Sequence, residues 1–76
     1  MRINIRPNAF VVFDKKSCTE ELYNQHFKEK FEGKLFVYLG EISQTPGHCI
    51  LADLKTGKIE GIWHTSNFRE ATEEEC

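Results

Sequence analysis

The sequence predicts a small α+β domain in which one helix packs on a strongly bent, mainly antiparallel sheet of four or five strands. Three observations lead there. The chain has 76 residues, enough for one domain and too few for two. One segment, residues 17–31, repeats its large apolar side chains at helical spacing. Elsewhere, short β-branched and aromatic runs are separated by Gly and Pro signals, the pattern of strands and turns.

"RINI" (2–5) alternates polar and apolar residues, Pro7-Asn8 interrupts it, and "AFVVF" (9–13) follows, which predicts one or two short strands. Pro7 has no N–H to give a ladder, so a strand through it belongs at an edge. In "SCTEELYNQHFKEKF" (17–31) Ser17 and Glu20 have capping-box spacing, which predicts a helix over about residues 18–31. Glu20 and Glu21 suit the positive end of the helix dipole, and Lys28 and Lys30 suit the negative end. Tyr23, Phe27 and Phe31 form an apolar stripe that Leu22 and His26 widen, and Gly33 is placed to stop the helix. "KLFVYLGEI" (34–42) is apolar on both faces, which marks a central strand, and Gly40 marks a bulge within it. "SQTPG" (43–47) is a loop.

"GHCILADL" and "KIEGIWH" flank "KTG" and form a hairpin. A two-residue loop would set Asp53 against Glu60, an unfavourable like-charge pair. A four-residue loop, 54–57, pairs Asp53 with Lys58, lets Asp53 cap the turn and gives Gly57 the positive φ it needs. Continued along the strands, that register sets His48 against Trp63, Ile50 against Gly61 and Ala52 against Ile59. Cys49, Leu51, Glu60, Ile62 and His64 then share the other face. "TSNF" (65–68) is a tight turn ending on an apolar anchor, "REAT" adds a last short strand, and residues 73–76 are expected to be a frayed acidic terminus.

Hydrophobic residues make up 39% and charged residues 29%, a globular composition. A domain of this size buries only about 60% of its unfolded surface, which leaves little core from which to build an enclosed active site. Residues 1–38 carry seven basic and five acidic side chains, and residues 39–76 carry three and seven, so the halves are +2 and −4. Neither half is a basic surface of the kind that neutralises several phosphates. The apolar runs are too short to span a membrane, and residues 1–13 lack the features of a signal peptide. Cys18, Cys49 and Cys76 are odd in number and lack CxxC spacing, so free thiols in a reducing cytoplasm are expected.

The His and Cys residues are the candidates for chemistry. A metal site from His48, Cys49, His64 and Cys76 has no paired-ligand motif, and neighbours on a strand leave from opposite faces. No cofactor or metal is expected. A cysteine nucleophile requires a depressed pKa, for which Cys49 with His48 or His64 and Cys18 at the helix start are the options, but no orienting third residue or oxyanion donor is identifiable. No enzymatic activity is expected either.

The run of strand, Gly, loop, hairpin with "TGK", strand ending "IWH", "TSNF" turn and final strand resembles the small SH3-like barrel family over residues 34–72. The turn stands where that family often has a 3-10 turn. The resemblance implies a binding module for proteins or nucleic acid. The expectation is therefore a non-catalytic module, a regulatory or inhibitory protein docking on a larger protein or self-associating, with no membrane contact. Its contact residues are expected to be Phe36, Tyr38, Glu60, Ile62, Trp63 and His64, on the sheet face that one helix leaves uncovered. The alternative is a nucleic-acid-binding barrel using Phe36, Tyr38 and Trp63 with Lys34, Lys55 and Lys58. A cysteine- or metal-dependent activity ranks last.

Overall fold

A computed structural model describes residues 5–76, so residues 2–4 of the expected "RINI" strand lie outside the described residues. Among the described residues there are five strands and one helix. They run β1 (Phe10–Phe13), α1 (residues 20–31), β2 (Phe36–Glu41), β3 (His48–Asp53), β4 (Ile59–His64) and β5 (Phe68–Glu70). Short 3-10 turns occupy Lys15–Ser17 and Thr65–Asn67. Every strand pair is antiparallel and the sheet order is β4-β3-β2-β1-β5. The sheet is open, with β4 and β5 at its edges, and does not close into a barrel. β2 lies at its centre, as its two apolar faces require, and the register shift between Tyr38 and Gly40 is the bulge that Gly40 predicts.

The helix begins differently from the expectation. Ser17 belongs to the first 3-10 turn, where its hydroxyl donates to the Asp14 carbonyl at 2.6 Å. Thr19 is the cap, its Oγ1 accepting from the Leu22 N–H at 3.2 Å, and the helix starts at Glu20. Its middle, Tyr23–Phe27, is a π turn. A reason lies in the aromatic spacing: rings four residues apart drift around a helix of about 3.6 residues per turn, and one wider turn takes up that drift. Tyr23 and Phe31 are thereby both buried, with Phe27 packed at the core margin. Leu22, expected to widen the stripe, is exposed instead. The helix stops at Phe31, and Gly33 reverses the chain at φ +67°.

α1 covers one face of the sheet. Beneath it lie Val11, Phe13, Phe36, Tyr38, Cys49, Leu51 and Phe68, all buried. Phe31 is the hub of this layer. Its ring centroid is 4.9 Å from Trp63, 5.2 Å from Phe68, 5.3 Å from Phe36 and 5.4 Å from Phe13. Three of these four pairs have interplanar angles of 64–79°, the edge-to-face arrangement that aromatic quadrupoles favour.

These placements assign different weights to neighbouring apolar helix positions. Phe31→Ala is expected to lose about 3–5 kcal/mol of stability, and Leu22→Ala to stay within about 0.5 kcal/mol of the parent. Urea denaturation followed by Trp63 fluorescence measures both. Equal losses would contradict this assignment of the core.

Candidate functional site

The β3–β4 hairpin decides where the His, Cys and Trp side chains go. At its turn the predicted loop forms. Asp53 Oδ1 accepts from the N–H groups of Lys55 (2.8 Å) and Thr56 (3.2 Å), the Asp53 N–H donates to the Lys58 carbonyl (2.8 Å), and Gly57 takes φ +76°. Ala52 faces Ile59 and Leu51 faces Glu60, also as expected. The register then shifts: Cys49 faces Trp63 and His48 faces His64. Between these pairs β3 contributes Ile50 alone and β4 contributes Gly61 and Ile62, a β-bulge.

The bulge corrects the expected pairing of His48 with Trp63 and exchanges the faces beyond it. Trp63 turns in against Phe27 and Phe31, while Ile62 turns out. An indole is the larger apolar group, so this exchange hides more surface than burying Ile62 would. Lys30 of α1 fastens the arrangement, its Nζ lying 3.1 Å from Glu60 Oε1 and 5.8 Å from the Trp63 ring centroid. The Trp63 Nε1 is buried with no partner among the described residues.

His48 and His64 now stand side by side, ring centroids 4.3 Å apart. Cys49 lies on the opposite face in the core, so the three side chains quoted for a metal or nucleophile do not converge. The described residues contain no group of three or more His, Cys, Asp or Glu side chains placed to hold a metal. Burial pushes the Cys49 thiol up, away from the depressed value a nucleophile needs. The Thr65 hydroxyl near it opposes this in part but makes no hydrogen bond of good geometry.

The six residues expected at the contact surface are therefore divided. Phe36 (1% exposed) and Tyr38 (4%) are core residues, and Trp63 and Glu60 lie under α1. Ile62 and His64 remain on the helix-free face. That face also carries residues outside the expected contact set. Phe10, Val37, Ala52 and Ile59 are cross-strand partners in one row across four strands. Phe10 is 42% exposed, Leu39 43%, Ile59 57% and Ile62 61%. Their signal was available. Once Phe36 and Tyr38 are given to the core, alternation leaves Val37 and Leu39 facing the other way. No described element lies across this row.

Burial also raises the Tyr38 phenol. Raised acids protect the folded state only while they stay protonated. The unfolded chain releases its protons first, so stability is full at neutral pH and falls as pH rises through the ordinary thiol and phenol values, about 8.5 and 10. The urea midpoint is expected to drop between pH 8 and 10.5, and a flat profile would contradict this. In thiol labelling at neutral pH, Cys76 and Cys18 are expected to react readily. Cys49 is expected to react only as fast as the domain opens, and fast labelling of Cys49 would refute its placement in the core.

With the geometry in view, comparison with known proteins finds no matching family model, no significantly similar curated protein and no significantly similar solved structure.

Proposed function

We propose that this chain is a non-catalytic interaction module, a regulatory or inhibitory protein that docks on a larger protein through the helix-free face of its sheet. The observation that carries this is the set of half-exposed apolar side chains Phe10, Leu39, Ile59 and Ile62 on the face of that cross-strand row, with no described element over it. Four strands at about 4.8 Å spacing and about six residues at about 3.3 Å each give a plan area on the order of 400 Å². That is the scale of the largest apolar patch on a typical monomer, about 300–600 Å², and such patches commonly serve contact. It is roughly half of the ~800 Å² each partner contributes to a standard interface, the remainder being supplied by the rim. The occupant this favours is a neutral apolar surface, because the residues of the cross-strand row carry no charge to select a charged partner.

The nucleic-acid reading needs aromatic rings free for stacking. Phe36 and Tyr38 are committed to the core and Trp63 is wedged between α1 and the sheet, so this reading has less support than docking on protein.

The test pairs capture with substitution. Ile59→Asp and Ile62→Asp each change an exposed side chain and are expected to leave the thermal midpoint near the parent's. A protein captured from source lysate by the parent chain is expected to bind each variant at least ~30-fold more weakly, as loss of about 2 kcal/mol at an interface centre requires. Capture that neither variant weakens would defeat the proposal. So would a concentration-dependent dimer that Ile62→Asp dissociates, since the occupant would then be a second copy.

A further inference from the structure

A second surface lies where β1 and β2 part. These strands pair only at Phe10↔Val37 and Val11↔Phe36, after which β1 continues against β5. Val12 and Phe13 on one side and residues 33–35 on the other border a cleft of about 860 Å³. Lys15, Lys16, Lys34 and Arg69 line it, against two carboxylates, Asp14 and Glu75. Both carboxylates are already engaged. Asp14 Oδ1 accepts the Lys16 N–H at 3.0 Å. Glu75 is gripped by Arg69 through two parallel bonds of 2.7 Å each, and its Oε1 also accepts the Thr72 N–H at 2.9 Å. Residues 73–76, expected as a frayed terminus, are thus drawn into a turn at the cleft, the Glu75 and Cys76 N–H groups donating to the Thr72 carbonyl. The three lysines make no ion pair among the described residues, and the Lys15 ammonium sits 4.9 Å from the Tyr23 ring centroid at the cleft wall.

We propose that this cleft is a receptor for an acidic polypeptide segment, and that Glu75 is an internal carboxylate holding the Arg69 position until such a segment displaces it. The two-bond clasp is the geometry by which guanidinium recognises carboxylate, so the chain itself displays the chemistry its cleft accepts. Hydrogen bonds from Arg69 and the Thr72 N–H lower the Glu75 carboxyl to about 2, so the clasp persists well into acid. A competitor six residues away acts at a local concentration in the millimolar range, which keeps the cleft closed to weak ligands and open to multivalent ones. A polynucleotide is disfavoured because Tyr23 and Phe31 in the cleft wall are buried and cannot stack on bases. None of Phe10, Leu39, Ile59 and Ile62 lines this cleft, and the inference does not depend on the docking proposal.

Fluorescein-labelled hexaglutamate, titrated with the full chain at low ionic strength and followed by anisotropy, tests it. Binding by the parent is expected to be weak and salt-sensitive, and Glu75→Gln is expected to tighten it by on the order of tenfold as the internal competitor is lost. Lys15→Glu with Lys34→Glu is expected to abolish binding, while Lys55→Glu on the β3–β4 turn and Ile59→Asp are expected to leave it unchanged. Thermal unfolding of each variant confirms that it folds. The proposal fails if hexaglutamate binds no form, or if Lys55→Glu weakens binding as much as the cleft variants do. It also fails if Glu75→Gln has no effect, or if labelled oligothymidylate or inorganic phosphate binds more tightly than the peptide.

Discussion

The contact on which the rest of the structure depends is the meeting of Phe31 with four other rings. Phe13, Phe36, Trp63 and Phe68 come from β1, β2, β4 and the start of β5, so one helical side chain ties together strands from both halves of the sheet. Aromatic pairs of this kind contribute roughly 0.5–1.5 kcal/mol each beyond their area, which matters in a domain whose core is thin. The π turn, the reversal at Gly33 and the β4 bulge can all be understood as adjustments that bring these rings together.

That concentration of rings on one side has a cost elsewhere. Among the described residues α1 is the one helix, and it covers only the face bearing Phe13, Phe36 and Tyr38. The opposite face keeps Phe10, Leu39, Ile59 and Ile62 in contact with solvent. The brevity of the β1–β2 ladder likewise leaves a gap where basic side chains gather. The two candidate surfaces thus have different structural origins, an uncovered sheet face and a short ladder. One is neutral and apolar, the other cationic, and they suit different ligands.

Much of this was legible in the sequence where the determinants are local. The Asp53–Gly57 turn could be chosen because an Asx side chain, a glycine and one charge repulsion all favour the same loop length. The central position of β2, its bulge at Gly40 and the single helix follow from residue type and period. Three features did not, each because two local solutions were nearly equal. Ser17 and Thr19 can both cap a helix, and Asp14 settles the matter by organising Ser17 into a preceding 3-10 turn. β2 is apolar on both faces, so alternation cannot say whether Phe36 or Val37 meets the helix; ring packing around Phe31 decides it. In β4, Ile62 and Trp63 compete for the interior, and Gly61 beside them is the same kind of signal that was read at Gly40 but not here. The cleft around Arg69 joins residues far apart in the chain, which no local pattern brings together.

The bulge at Gly61–Ile62 also bears on how such a chain stays dispersed. β4 is an outer strand bordering an apolar surface, a setting that invites neighbouring molecules to stack into fibrils by backbone pairing. Two residues opposite one put the outward N–H and C=O groups out of step halfway along the strand. An incoming straight strand would find its donors and acceptors aligned for only part of the length. Polymerisation by strand addition along this border is thereby disfavoured.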